Sequence, residues 1–494
     1  MNWDQHLIAL AIIVPLLSAP LCMLVGQRHV AWLIGVTSGL VGLLIALALL
    51  QQVNTQGVIS YQLGGWAPPL GIELRADLLN AFVLLIVSAL AFWVFLYAHR
   101  SVAAEIDADR QTGFYAGLLL IYAGLAGITL TGDAFNAFVF LEISSLSSYA
   151  VISMGRDRRA ITAAFQYLVM GTIGATFILI GIGFLYMMTG TLNMADLGQR
   201  LPAVSDTSTV QSGFAFISVG IALKLAMFPL HLWLPNAYAF APSVVTVFLA
   251  ATATKVAVYL LLRMIFSVFG VEMTFVQMHL EYLLLPLATV AVISASLVAV
   301  FQTNLKRMLA YSSVAQIGYM LMGIGMASTG GVAATILHLF NHALMKGALF
   351  MALGAVVLRV GSVQLHHLAG LGRHMPWTLG AFVVGALSLI GMPLTAGFVS
   401  KWYLVSAALD AGWWWLVVVI VIGSLLAVVY VWRVIEVVWF RPPHPALAGK
   451  TEAPWSLLFP TWGLALANVY FGVETSLTTG TAEAAVQVLF GMTP

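Results

Sequence analysis

Lys224, Lys255, Lys346, Lys401 and Glu142 each sit inside a long apolar stretch, with no other charged residue for many positions on either side. An ionised side chain at the centre of a membrane helix costs about 2.5 to 3.5 kcal/mol, so five of them cost on the order of 10 kcal/mol. Four cations against one anion cannot all be paired, and ionisable groups retained inside a membrane are functional by default. The chemistry these residue types offer is movement of charge, protons first.

The densest constellation is Thr335-Ile-Leu-His338-Leu-Phe-Asn341-His342-Ala-Leu-Met-Lys346. On a helix, positions i, i+4 and i+8 share one face, so His338, His342 and Lys346 form a column that begins near Thr335. Imidazole accepts on one nitrogen while donating on the other, and a desolvated lysine becomes exchangeable near neutral pH. Two histidines at i and i+4 also suit a metal, but there is no HExxH, no cysteine and no third ligand in register, so no metal is expected. Glu142, in Phe140-Leu-Glu142-Ile-Ser-Ser145, is the one mid-span carboxylate, and Lys224 is its expected partner. A static pair that only fixes helix packing is the alternative. Lys255 carries Thr252 and Tyr259 on the same helical face, which suits a link between two halves of the chain. His366, His367, Arg373 and His374 read as a solvated basic loop.

These residues need spans to hold them. The chain is 61% hydrophobic and only 8% charged, which places it among polytopic membrane proteins. Its single Cys22 excludes an intrachain disulfide framework and any cysteine-ligated cluster. Met1 to His6 lacks a basic segment and precedes a span-length run, so an uncleaved first helix is expected. Charged and Gly/Pro-rich breaks give fourteen spans near 6–26, 30–50, 78–98, 112–131, 135–154, 162–189, 212–234, 243–265, 282–303, 308–326, 332–358, 377–402, 412–436 and 455–474. Loops after odd spans hold thirteen basic residues, among them Arg156, Arg158, Arg159 and Lys306, whereas the other side holds Arg75, Arg200 and Arg263. That bias predicts cytoplasmic odd loops and both termini outside a plasma (inner) membrane. Trp413, Trp414 and Trp415 suit an interfacial belt.

Two spans contain a proline at membrane depth, Pro229 with His231 close behind it, and Pro393. Each removes a backbone hydrogen bond and frees a carbonyl, tolerated only where protein or water satisfies it again. Both breaks lie within eight residues of a buried lysine. Broken spans in corresponding positions of two halves point to an internal repeat with its ion site at mid-depth.

Together, Leu-Glu142-Ile-Ser-Ser, Lys224 with Pro229-Leu-His231-Leu-Trp-Leu-Pro235, Lys255, the His338/His342/Lys346 column and Gly-Met-Pro393-Leu-Thr-Ala-Gly-Phe resemble the antiporter-like subunits shared by respiratory complex I, membrane hydrogenases and Mrp-type multisubunit cation/proton antiporters. The resemblance covers nearly the whole chain. It implies an all-α polytopic fold of about fourteen helices, with two inverted five-helix repeats and broken helices 7 and 12. The segments would be 1-111 (helices 1 to 3), 112-265 (first repeat), 282-436 (second repeat) and 437-494 (C-terminal loop and helix 14). It further implies roles. Glu142 and Lys224 would be the first-half pair, Lys255 the bridge, His338, His342 and Lys346 the second-half intake, and Lys401 the terminal lysine. Pro229, His231, Ser145, Thr252, Tyr259 and Pro393 would support or line the channels. Gly64-Gly65-Trp66-Ala-Pro-Pro-Leu-Gly-Ile-Glu73-Leu-Arg-Ala-Asp77 looks like the D-type member of the Mrp antiporter, and the chain lacks the long C-terminal extension of the L-type complex I member and of the A-type Mrp member. Lys401 stands where the M-type complex I member usually has glutamate, which argues against that assignment. The expected function is therefore proton translocation within a sodium/proton antiporter. The membrane arm of a complex I-like or hydrogenase complex is the runner-up, and a non-transporting scaffold is a third reading. Other membrane subunits, lipid, protons and sodium are the expected partners. No cofactor, nucleic-acid partner or enzymatic activity of its own is expected.

Overall fold

The computed structural model describes residues 6–491, so the N-terminal reading of Met1 to His6 falls mostly outside the described residues. The chain is helical almost throughout, because in lipid every backbone N–H and C=O must find its partner inside its own segment. The first half comprises α1 (Leu7–Val25), α2 (Arg28–Gln56), α3 (Leu78–Glu105), α4 (Gln111–Leu130), α5 (Ala134–Ser153), α6 (Arg158–Thr189), α7 (Met194–Arg200), α8 (Ser208–Leu225), α9 (Trp233–Phe240) and α10 (Ser243–Phe269). The second comprises α11 (Glu281–Phe301), α12 (Leu305–Gly325), α13 (Thr329–Val360), α14 (Pro376–Ile390), α15 (Ala396–Asp410), α16 (Trp414–Phe440), α17 (Trp455–Val473) and α18 (Ser476–Leu489).

Among the described residues, 12 helices are long and apolar enough to cross a membrane. The two other expected spans are built differently. The helix α12 has span length but carries Lys306, Arg307 and a run of serines, and the span expected at 377–402 is divided into two helices of 15 residues each, α14 and α15. Several short elements were not anticipated, α7 among them. Ile59–Gln62 pairs antiparallel with Glu73–Ala76 in a hairpin, whose strands of four residues each are too short to show a period. The 14-residue α18 is too short to span.

Both breaks occur at the prolines. The helix α8 ends on Ala226 at φ 59, and Pro229 lies in the irregular segment before α9. Likewise α14 ends on Gly391 at φ 91, a left-handed position that suits glycine, and Pro393 lies before α15.

A matching pair of backbone hydrogen bonds marks each half. Ala134 N donates to Leu192 O (2.8 Å) and Met194 N to Gly132 O (2.8 Å), and 171 residues later Leu305 N donates to Val363 O (3.0 Å) and Leu365 N to Thr303 O (2.8 Å). The long helix enclosed by each pair, α6 or α13, has 32 residues and closes on a left-handed glycine, Gly190 or Gly361. The first set borders a chamber with Arg75 and Asp77. The second borders a chamber with Arg156 and Asp157. Between these chambers runs the length of α5, 20 residues or about 30 Å, so equivalent structures sit on opposite faces.

Two loop charges of the sequence reading turn inward, Lys306 fully and Arg263 with its side chain 11% exposed. Arg263 reaches inward from α10 and holds Asp77 at 2.8 Å, and Lys306 is only 4% exposed. Long stems let such side chains leave the surface wherever a carboxylate or carbonyl receives them. At the centre lies α10, almost wholly enclosed, whereas α1 and α16 on the periphery expose most of their surface.

Candidate functional site

The first-half pair forms as the sequence suggests. Lys224, in the last turn of α8, donates to Glu142 Oε1 at 3.3 Å and to Ser145 Oγ at 2.9 Å, both on α5. The lysine is buried, but Glu142 is partly exposed on an outward face with Phe135, Val139 and Leu146. Beside Lys224 a small cavity of ≈ 40 Å³, bounded by Ser144, Ser145, Tyr167 and Val256, reaches α10. It is lined mostly by aliphatic side chains, and its size suits a few water molecules held by Ser144, Ser145 and Lys224.

Lys255 sits on α10 directly after a π-helical segment, Leu249–Ala253. A π turn holds more residues than an α turn and shifts the side chains that follow it around the axis. Lys255 therefore does not meet the partners that regular spacing predicts. Its ammonium donates to the Ala250 carbonyl and to Thr254 Oγ1 (3.3 Å). Thr252 bonds the Phe248 carbonyl and Tyr259 the Thr129 carbonyl, so neither hydroxyl is given to Lys255.

In the second half, His338, His342 and Lys346 lie buried on α13, with the His338 and His342 rings stacked 6.0 Å apart. The two histidines differ. His338 has both nitrogens engaged, Nδ1 with Ser400 Oγ at 2.9 Å and Nε2 with Gln316 Oε1 at 3.0 Å. His342 is fully buried and neither nitrogen has a protein partner. Such a group needs water. Lys255, Lys346 and His338 all lie within electrostatic reach of His342. Lys346 donates to Leu309 O at 2.8 Å and Ser312 Oγ at 2.5 Å.

Lys401 uses the carbonyls that the second break frees. It donates to Leu389 O (3.2 Å), Ile390 O (2.8 Å) and Ser424 Oγ (2.9 Å), and lies 5.0 Å from the Tyr319 ring centre. A cation at the carbonyl end of a helix is favoured by the unsatisfied peptide dipoles there. Beside it a lateral groove of ≈ 250 Å³ runs between α15 and α16, past Trp402 and Leu425.

His231 lies apart from these contacts, stacked on Phe228 and edge-on to Tyr311, with Nδ1 unpartnered. Pro229 and Pro393 lie in the irregular segments at the two breaks. In the basic loop region, His367 groups with His366 and His444, not with Arg373 or His374. Local desolvation, followed by the two neighbouring imidazoles, holds the His367 pKa below the ordinary histidine value. Among the described residues no three His, Cys, Asp or Glu side chains are placed to hold a metal. Sequence reasoning missed Thr254, Ser312, Gln316, Ser400 and Ser424. The signal available was polarity in Tyr311-Ser-Ser-Val-Ala-Gln316, within an otherwise apolar span.

Comparisons with known proteins show the family. The chain is 40% identical over 483 residues to NADH-quinone oxidoreductase subunit N of Desulforudis audaxviator, covering 95% of this chain and 96% of that one. It is 29% identical to the D subunit of the Na(+)/H(+) antiporter of Bacillus subtilis, over 98% of this chain and 97% of that one. Among solved structures, a chain of the Mrp complex from Dietzia sp. superposes with a TM-score of 0.90 at 26% identity, covering 99% of this chain and 98% of that one. Residues 131–427, which hold Glu142 and all four mid-span lysines, match the pattern of the NADH:quinone oxidoreductase/Mrp antiporter transmembrane family, to which this membrane protein belongs.

Proposed function

We propose that the chain is a proton-conducting subunit of a multisubunit membrane complex, moving protons through Glu142–Lys224, Lys255, His342 with His338, Lys346 and Lys401. The carrying observation is that Lys255, Lys346 and Lys401 are buried with hydroxyl and carbonyl oxygens as their partners and no carboxylate. An ammonium so held can give up its proton and remain solvated as an amine, which a carboxylate-locked cation does less readily. The groups recur from the first half to the second, and the unpartnered His342 marks where water completes the path.

Within this reading the two halves, 112-265 and 282-436, act as half-channels of an inverted repeat, and Glu142 and the Lys401 groove, both near outward surfaces, meet neighbouring subunits. The complex is of the Mrp sodium/proton antiporter type. Similarity to the D subunit of a sodium/proton antiporter and to a chain of an Mrp complex supports it. A second reading, membrane subunit of a respiratory oxidoreductase, draws on the 40% identity to an oxidoreductase subunit N. In either case the chain carries protons and its partners supply the driving reaction, whether a cation gradient or electron transfer.

The test is proton flux in vesicles bearing the intact complex, driven by an imposed potential worth about 2.3 kcal/mol per charge per 100 mV. Flux should vanish in Glu142→Ala and Lys346→Ala while partner subunits still co-purify. Full flux in both would favour the scaffold reading. Sodium dependence of that flux separates the antiporter from the respiratory assignment.

A further inference from the structure

Where α1 turns into α2, four basic side chains converge against the last turns of α3, the helix whose Glu105 borders the chamber with Arg156. His29 Nδ1 of α2 meets His99 Nε2 of α3 at 3.2 Å. Arg28 and Arg100 both lie within electrostatic reach of His99. Trp32 packs against the cluster, with its ring 4.6 Å from that of His99 and its indole N–H given to the Phe95 carbonyl. Like charges gathered in this way repel one another and call for a counter-charge among them. The described residues supply none. No salt bridge among them includes Arg28 or Arg100, and the first turn of α2 holds no acid. The carboxylates that follow Arg100 in the chain are engaged elsewhere, Glu105 with Ser243 and Asp107 with Arg156.

Below the cluster runs an apolar track. Leu33, Leu40, Leu44 and Leu47 follow His29 by 4, 11, 15 and 18 positions, which places all five within about 60° of one another on the helix surface. The four leucines are between 41% and 57% exposed. Leu21 and Leu24, near the adjoining end of α1, are exposed as well. From His29 to Leu40 the helix rises about 16 Å, the depth of one hydrocarbon leaflet. Trp32 marks the level of the membrane interface, where indole rings settle. A cationic head at that level, above an apolar strip one leaflet deep, has the shape and charge of an anionic amphiphile lying along α2. Basic pockets between membrane helices bind such head groups. A zwitterionic lipid fits less well, because it would bring its own ammonium against the four basic groups.

We propose that Arg28, His29, His99 and Arg100 bind the phosphate of an anionic phospholipid whose acyl chain lies along Leu33, Leu40 and Leu44 of α2. The two guanidinium groups offer paired N–H donors to the phosphate oxygens. The neutral imidazole pair has one further N–H outside its mutual bond. The site lies apart from the proton path and is independent of whether the complex is an antiporter or an oxidoreductase.

The experiment uses the intact complex, stripped of lipid in mild detergent and titrated with phosphatidylglycerol, with bound lipid counted by native mass spectrometry. The wild-type complex should hold one phosphatidylglycerol more tightly than Arg28→Gln/Arg100→Gln does, by roughly 30-fold for the two charges removed. Phosphatidylcholine should not take its place. Arg28→Lys/Arg100→Lys keeps both charges and should keep the lipid, which separates loss of charge from a folding defect. Equal retention of phosphatidylglycerol in wild type and Arg28→Gln/Arg100→Gln, or equal retention of phosphatidylcholine by the wild type, would overturn the proposal. Displacement of the lipid by millimolar inorganic phosphate would overturn it in favour of a free-anion site. Loss of a partner subunit rather than a lipid in Arg28→Gln/Arg100→Gln would overturn it in favour of an acidic protein surface.

Discussion

The two helix breaks hold their lysines by different means. Lys224 precedes its break, in the last turn of α8, and faces a carboxylate at 3.3 Å. Lys401 follows its break, on α15, and faces the carbonyl end of α14 at 2.8 and 3.2 Å with one serine hydroxyl. A full opposite charge stabilises an ammonium through one strong interaction that vanishes when the carboxylate is protonated. Partial charges on carbonyls persist whatever the protonation state of the neighbours. On the proposed relay, the first half would respond to charge on Glu142, and the second would hold a proton in a fixed environment until a neighbour takes it.

That contrast can be broken from either side. Complete loss of proton flux with assembly intact is expected from Lys346→Ala, which removes the buried lysine of the column. Next, Glu142→Ala should stop flux and also weaken the fold, because removing one partner of a buried pair costs about 3 to 5 kcal/mol and Glu142 is partly exposed, so the lower end applies. Adding Lys224→Ala should restore thermal stability of the complex without restoring flux. If the double variant is less stable than the single, the pair is not coupled as described.

Gln316→Leu sharpens the second half. It leaves His338 Nε2 buried without a partner, a loss of about 1 to 3 kcal/mol in stability, and flux should fall without reaching the complete loss expected of Lys401→Ala. Ser424→Ala removes one of three oxygens around Lys401 and should cost about 0.5 to 1.5 kcal/mol with a several-fold drop in flux. The smallest effect belongs to Thr252→Val, whose hydroxyl bonds only the Phe248 carbonyl. Near wild-type flux is expected there, and a large loss would return Thr252 to the Lys255 site.

Which residues carry charge at mid-depth was legible in the sequence, because an ionisable side chain in an apolar run has no inexpensive explanation. The breaks at Pro229 and Pro393 were legible for the same kind of reason, a missing donor in a helix. What meets Lys255 was not, since the π segment before it changes the angular period that face arguments assume. The serines and Gln316 were also out of reach. A hydroxyl on a membrane helix can bond its own backbone or a neighbouring side chain, and only packing decides which. Arg263 and Lys306 were counted as loop charges because sequence alone does not give the inward reach of their stems, nor the receiving Asp77 in one case and the Ala241 carbonyl in the other.

The most direct test is Lys401→Arg in the assembled complex, with proton flux measured in vesicles under an imposed potential. Arginine keeps the positive charge and can bond the same oxygens of Leu389, Ile390 and Ser424, but its guanidinium stays protonated near neutral pH. If buried lysines work by exchanging protons, flux is lost although the complex co-purifies with all its partners. Wild-type flux in Lys401→Arg would show that the residue serves as a fixed charge, and would contradict the relay at its terminal step.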